Sequence, residues 1–162
     1  IELFPTSKLL HIVRDPRDVA CSYLELQDLK THSPYAPKLP LDASEISRQW
    51  LLHNEAVLQA CKKTASESVM LIRYEDLVTD GHGVLAGVCN WLELEFEVSM
   101  LDFHLANRRE QLEPPETLDW KRKTLQPIDK ASVGRYKGTL SALDIDTITR
   151  IGKPLMKRFG YA

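Results

Sequence analysis

Arg14 and Ser22 have side chains of types that can bind an anion. Arg14 follows the apolar run Leu9–Val13 and carries a planar guanidinium, which pairs well with phosphate-type groups. Ser22 comes eight residues later, about two turns into the helix that Pro16 begins, or roughly 10 Å along its axis. The two side chains would therefore share an anion only if it lay across the flank of that helix.

The residues between the strand and the helix specify where the helix starts. Asp15 precedes a proline, which keeps it out of the α region and lets its carboxylate cap the following amides. Pro16 suits the first helical position, and Asp18 places negative charge in the first turn. Anion binding at the positive end of the helix dipole is one interpretation. A capped, charge-paired helix start without a ligand explains the same residues equally well.

The segment from Arg14 to Ser22, RDPRDVACS, resembles a phosphate-binding segment of a known enzyme family. It is similar to the 3'-phosphate-binding segment of sulfotransferases that use 3'-phosphoadenosine 5'-phosphosulfate (PAPS). In that family an arginine and a serine eight residues later hold the 3'-phosphate, and both positions match here. The resemblance, which is to the bacterial type, implies that Arg14 and Ser22 bind the nucleotide.

Two later segments extend the resemblance. Tyr74-Glu-Asp-Leu77 is similar to the tyrosine-containing segment that sulfotransferases place beside the adenosine bisphosphate. Residues 127–137 resemble the late loop that folds over the 3'-phosphate. In that loop Lys130 takes the place of a phosphate-contacting lysine of cytosolic sulfotransferases, and Arg135 matches a basic residue of the protein-tyrosine branch. The cofactor-binding set that the resemblance implies is Arg14, Ser22, Tyr74, Lys130, Ser132 and Arg135.

The elements that must position these residues belong to an α/β fold. Apolar runs at 9–13 and 69–74 are typical of strands covered on both faces of a parallel sheet. Helical patterns follow from Pro16 to about Lys30, from a cap at Ser44 to about Ala65, and from a cap at Ser141 to Gly160. The resemblance implies the sulfotransferase fold, which is like that of P-loop NTPases.

Two regions outside the phosphate site have open interpretations. Residues 31–41 contain three prolines and form a loop, either a lid over a substrate or a passive connection. Trp50 and His53 either line an acceptor pocket or are a core residue and a partly exposed residue, respectively.

Composition limits the possible partners and the compartment. The chain has 162 residues and a net charge of −2, so no nucleic-acid partner is expected. No apolar run reaches the roughly 20 residues of a membrane-spanning helix. The cysteines Cys21, Cys61 and Cys89 are odd in number and widely spaced, which favours a reducing compartment, the cytoplasm, and indicates no metal site.

The resemblance covers residues 1–162 as the carboxyl-terminal part of a single sulfotransferase domain. The family's 5'-phosphosulfate loop, its catalytic lysine and its acid or base precede the matching part, so no catalytic residue is assigned here. Only about a dozen residues have a strand pattern, too few for a covered parallel sheet. The missing amino-terminal part of the domain is therefore an expected partner.

The function that the resemblance implies is transfer of a sulfuryl group from PAPS to an acceptor hydroxyl or amine of unidentified class. By itself this part is expected to bind nucleotide weakly at most. A kinase-like enzyme is one alternative, but it needs a phosphate loop that the sequence does not contain. A non-catalytic nucleotide-binding or scaffold module with the same fold is another.

Overall fold

The computed structural model describes residues 6–28 and 33–161. Its sheet consists of two parallel strands in these ranges. Strand β1 (Leu9–Val13) pairs with β2 (Val69–Arg73), with Leu9 opposite Val69 and Val13 opposite Arg73. The predicted parallel pairing is therefore confirmed. Each strand delivers a candidate site residue, Arg14 or Tyr74, just beyond its carboxyl end.

Helices make up most of the rest of the described chain. Their bounds are α1 Pro16–Asp28, α2 Ala43–Cys61, α3 Tyr74–Thr79, α4 Gly81–Leu92, α5 Phe103–Glu110, α6 Leu118–Lys121, α7 Tyr136–Thr139 and α8 Ala142–Phe159. Short 3-10 turns lie at Ser66–Ser68, Val98–Asp102, Pro115–Thr117, Arg122–Leu125 and Lys130–Ser132. No helix in the described ranges has both the length and the apolar content that a bilayer crossing needs.

The ends of the helices agree with the sequence patterns in part. Ser141 caps α8 by accepting from the amide of Asp144, and Gly160 ends it with a φ of 77°, both as predicted. The cap of α2 is Asp42 rather than Ser44, because the Asp42 carboxylate accepts from the amides of Ser44 and Glu45 at 2.9 and 3.1 Å. The predicted end of α1 near Lys30 lies outside the described residues.

Two other boundaries differ from the predictions. Helix α2 ends at Cys61, whereas the pattern predicted about Ala65. Tyr74 does not end β2 but begins α3, with extended Arg73 as the cap. Glu75 and Asp76 then occupy the first turn, where the helix dipole favours negative charge.

The main core lies where α2 and α8 cover one face of the sheet. Val13, Trp50, Met156 and Phe159 are buried there together. The Trp50 indole also donates to the carbonyl oxygen of Arg14 at 3.0 Å, which ties the core to the residue after β1. Trp50 is therefore a core residue and His53 is exposed, which agrees with the second of the two interpretations of this pair.

Tyr161, just after α8, joins the two strand ends. Its hydroxyl lies 2.7 Å from Glu75 Oε2 and 3.1 Å from the carbonyl oxygen of Val13. The other carboxylate oxygen of Glu75 accepts from the amide of Asp15 at 3.0 Å. Burial raises the pKa of the Tyr161 phenol and the Glu75 carboxylate raises it further, so the hydroxyl keeps its proton and the contact persists.

The opposite face of β1 is only partly covered. Leu10 and Ile12 alternate with the buried His11 and Val13, and they are 44% and 51% exposed. In the described ranges each strand is paired on one edge, which leaves the backbone groups of its other edge without a sheet partner. The sheet therefore presents an apolar face and open edges.

Replacing Ile148 tests the packing of α8. Ile148 is fully buried, so Ile148→Ala is expected to lower the free energy of unfolding by about 3 kcal/mol, since it leaves a cavity. Leu143→Ala on the same helix is the matched control, because Leu143 is 74% exposed and its loss should cost less than about 0.5 kcal/mol. Chemical denaturation measures both, and equal losses would contradict the placement of α8.

Candidate functional site

Arg14 lies at the centre of the candidate site. It follows β1 directly, and Trp50 holds its carbonyl oxygen. Its guanidinium donates through Nη1 to the hydroxyl of Ser22 at 2.8 Å and through Nη2 to the carbonyl of Ser132 at 2.8 Å. Arg14 therefore joins the first helix to a loop 118 residues later in the chain.

Tyr74 supports the same guanidinium from one side. The Arg14 guanidinium carbon lies 4.5 Å from the centre of the Tyr74 ring, a cation–π geometry. The Tyr74 hydroxyl lies 2.9 Å from the Ser132 hydroxyl. Tyr74 and Ser132, two of the three partners of Arg14, thus also contact each other, so the orientation of the Arg14 guanidinium is set without a ligand.

Arg135 brings a second guanidinium to Ser22. Its Nη2 donates to the Ser22 hydroxyl at 3.2 Å, and its Nη1 donates to Glu25 Oε2 at 2.7 Å. The ammonium of Lys123 lies 3.7 Å from the same oxygen of Glu25. Two fixed guanidinium groups that meet at one hydroxyl form a natural anion-binding arrangement.

Asp18 fastens the late loop to α1. Its side chain is buried, with the residue 1% exposed, and its carboxylate accepts from the amides of Gly134 at 2.6 Å and Tyr136 at 3.0 Å. Gly134 has a φ of 70°, a backbone conformation that glycine adopts without steric cost. Sequence reasoning gave Asp18 only a helix-start role, because its partners lie more than 110 residues away and leave no local signal.

The structure brings together five of the six residues named from the sequence: Arg14, Ser22, Tyr74, Ser132 and Arg135. Lys130 begins the 3-10 turn that carries Ser132, and it is exposed. In the described part of the chain its ammonium makes no hydrogen bond or ion pair. Its assignment to the site stays a prediction.

A cavity of about 330 Å3, here called the basic cavity, opens beside these residues. Arg14, Ser22, Tyr74 and Ser132 form part of its wall. The sequence did not indicate that the other residues of the wall belong to the site. They are Glu25, Leu26, Asp119, Trp120, Arg122, Lys123 and Gln126. Arg122 and Lys123 belong to a basic run at 121–123, and the sequence gives no strong signal for a site there because such runs are commonly solvated.

A second cavity, here called the apolar cavity, has a volume of about 390 Å3 and shares Tyr74, Lys123, Gln126 and Ser132 with the first. Most of its other walls are apolar side chains: Leu77, Val78, Leu85, Met100, Phe103, Pro127 and Ile128. Tyr74, Lys123, Gln126 and Ser132 therefore form a wall that the two cavities share.

The proline-rich loop lines a cavity next to the basic cavity. Residues 31 and 32 lie outside the described ranges, but Pro37, Leu39 and Leu41 line a small cavity together with Leu26 and Trp120. Because Leu26 and Trp120 also line the basic cavity, the loop is adjacent to the site. Its role as a lid or a connection stays open.

Within the described residues, no group of three or more His, Cys, Asp or Glu side chains is placed to hold a metal ion. The polar chemistry of the cavity comes from guanidinium, ammonium, hydroxyl and carboxylate groups.

Comparison with known proteins points to one family. A model described as "Sulfotransferase family" matches residues 1–98, which include Arg14, Ser22 and Tyr74 but end before Ser132 and Arg135. No curated protein matches the sequence.

Two solved structures share the fold. One is the sulfotransferase domain from the Synechococcus PCC 7002 olefin synthase, at 24% identity and a TM-score of 0.62, with 91% of this chain and 48% of that chain covered. The other is the sulfotransferase domain from the curacin biosynthetic pathway, at 20% identity and a TM-score of 0.66, with 96% and 54% covered. This chain thus spans about half the length of each. The predicted α/β fold, which is P-loop-like, is confirmed.

Replacing Asp18 tests how the late loop is held. Asp18→Asn keeps the side chain's shape but leaves one acceptor oxygen and turns an amide NH2 toward a second backbone N–H. We expect the free energy of unfolding to fall by about 2 kcal/mol. The amides of Gly134 and Tyr136 should exchange hydrogen faster, as measured by NMR.

Asp146→Asn is the matched control, because Asp146 is exposed on α8 and the same charge is lost. It should change neither the stability nor the exchange. If Asp18→Asn left the exchange of both loop amides unchanged, Asp18 would not be what holds the loop.

Proposed function

Because the chain belongs to the sulfotransferase family, we propose that it forms the 3'-phosphate-binding part of a PAPS-dependent sulfotransferase. The intact enzyme would transfer a sulfuryl group from PAPS to an acceptor hydroxyl or amine. The observation that carries this proposal is the convergence of Arg14 and Arg135 on Ser22. The sulfotransferase match and the shared fold support the reaction class.

Charge in the basic cavity supports the 3'-phosphate as the group bound there. The chain as a whole has a net charge of −2, yet cations outnumber carboxylates here. Arg14, Arg122 and Lys123 line this cavity with Glu25 and Asp119, and Arg135 reaches Ser22 at its wall. Charge-assisted hydrogen bonds from guanidinium groups to phosphate are stronger than neutral ones. A phosphate at this place would distinguish the nucleotide from 5'-nucleotides, which have a free 3'-hydroxyl.

The apolar cavity supports a position for the rest of the nucleotide. It shares Tyr74 and Ser132 with the basic cavity, so a ligand anchored in the basic cavity can extend along the Tyr74 ring. Apolar walls that include Leu77, Met100 and Phe103 suit a purine ring. Tyr74 would then lie against the nucleotide, as the resemblance implies.

In the reaction itself, the sulfur–oxygen bond to the 5'-phosphate breaks as a new bond forms from sulfur to the acceptor oxygen or nitrogen. The acceptor's proton passes to a base. The residues of this chain would act by holding and orienting the nucleotide, since positioning and charge stabilisation dominate group transfer of this kind. The catalytic lysine and the base belong, on the resemblance, to the amino-terminal part of the domain.

The partly exposed sheet supports an association with that amino-terminal part. Leu10 and Ile12 leave apolar surface on β1, and the solved chains of this fold are about twice as long. Further strands paired to the open edges would satisfy their backbone groups, and helices packed on this face would bury both side chains. We propose that the complete domain binds PAPS and the acceptor through both parts.

Replacing Arg14 tests the proposal. In the full-length protein, Arg14→Ala should weaken binding of adenosine 3',5'-bisphosphate by about 2 kcal/mol, or roughly 30-fold, because a charge-assisted pair with the phosphate is lost. Binding of adenosine 5'-phosphate, which has no 3'-phosphate, should change much less. Isothermal titration calorimetry measures both affinities.

Arg150→Ala is the matched control, since Arg150 is exposed on α8 and does not line the cavity. It should leave both affinities unchanged. The assignment would be refuted if Arg14→Ala bound the bisphosphate as tightly as the unmodified protein does. It would also be refuted if the unmodified protein bound ATP as tightly as the bisphosphate.

A further inference from the structure

Glu25 is an acidic residue in the wall of the basic cavity. It lies on α1 three residues after Ser22, so both side chains are on the same side of the helix. Its Oε2 accepts from Arg135 Nη1 at 2.7 Å and lies 3.7 Å from the Lys123 ammonium. Two of the cations near the cavity are therefore paired with a carboxylate of the protein itself.

The hydrogen bond to Glu25 occupies Nη1 of Arg135, a donor that a bound anion would also use. Nη1 donates to Glu25 and Nη2 donates to Ser22. The Nε atom of Arg135 is buried and has no hydrogen-bond partner in the described part of the chain, so the edge that includes Nε does not face the cavity. A phosphate that binds this guanidinium through two parallel hydrogen bonds, from Nη1 and Nη2, therefore competes with Glu25 for Nη1.

Glu25 is ionised when it makes this contact. Desolvation by itself raises the pKa of the Glu25 carboxyl, but the hydrogen bond and charge of Arg135 and the nearby Lys123 outweigh it and lower the pKa. A phosphate on Arg135 would therefore stand beside a like charge if Glu25 stayed in place.

We propose that Glu25 is a resident counter-anion of the basic cavity, which holds Arg135 and Lys123 without ligand and withdraws when a nucleotide 3'-phosphate binds. The inference rests on the function proposed above. The Glu25 side chain is 46% exposed, so its carboxylate can turn into solvent without being buried elsewhere. Because the phosphate replaces the Glu25 carboxylate, an anion always balances the positive charges of Arg14 and Arg135, which both contact Ser22.

This exchange has a consequence for product release. Adenosine 3',5'-bisphosphate, the product left after sulfuryl transfer, keeps the same 3'-phosphate as PAPS. A carboxylate that competes for Arg135 lowers the affinity for this product and speeds its dissociation. Glu25 thus limits how tightly the enzyme holds the spent nucleotide.

The test compares the full-length protein with its Glu25→Gln variant. Calorimetry should show that the variant binds adenosine 3',5'-bisphosphate about tenfold more tightly, because one like charge near the phosphate is removed. The affinity for adenosine 5'-phosphate should stay unchanged. Stopped-flow displacement should show slower release of the bisphosphate. Glu25→Ala, which removes the same charge, should shift the affinity in the same direction and serves if the glutamine variant folds poorly.

Glu55→Gln is the matched control, because Glu55 is exposed on α2 and the net charge changes equally. It should alter neither affinity. The inference is overturned if Glu25→Gln binds the bisphosphate equally or more weakly, which would mean that Glu25 orients Arg135 for the ligand. It is also overturned if Glu55→Gln gives the same gain.

The two proposals fail in different ways. If the unmodified protein binds adenosine 5'-phosphate as tightly as the bisphosphate, the proposed function itself is refuted. If it prefers the bisphosphate and Glu25→Gln does not increase that preference, only the role of Glu25 is refuted.

Discussion

The buried carboxylate of Asp18 is the contact on which the arrangement of the site depends. It accepts from two amides of the late loop while belonging to the first turn of α1. The loop in turn delivers the Ser132 carbonyl to Arg14 and the Arg135 guanidinium to Ser22. A carboxylate buried without such partners would be strongly unfavourable, so the helix start and the loop stabilise each other.

A second constraint holds the other half of the site. Arg14 and Tyr74 each come directly after a strand, and parallel pairing brings these strand ends to the same edge of the sheet. Trp50 fixes the carbonyl of Arg14, while Tyr161 and Glu75 join the end of β1 to the start of α3. Because these contacts arise from buried core residues, the position of the guanidinium depends on the packing of α2 and α8.

The electrostatics of the site follow from this rigidity. Arg14 is surrounded by neutral electron-rich groups, namely the Tyr74 ring, the Ser22 hydroxyl and the Ser132 carbonyl. Arg135 is compensated by the charge of Glu25. The two arginines therefore differ in what a ligand must replace. An anion can bind to Arg14 without displacing a charged group, but at Arg135 it competes with the carboxylate of Glu25.

Local patterns were sufficient to predict the strands, the start of α1 and both ends of α8, because each of these depends on neighbouring residues. The signals were apolar runs, a proline at the first helical position, a serine cap and a terminal glycine. The family resemblance, and not the local pattern, paired Arg14 with Ser22, although both lie in one strand–helix unit. The partners of Asp18, the counter-charge of Glu25 and the cavity walls at Trp120 and Lys123 depended on the tertiary structure. These contacts join residues about 100 positions apart, and only the packing of the sheet, α1 and the late loop brings them within hydrogen-bond distance.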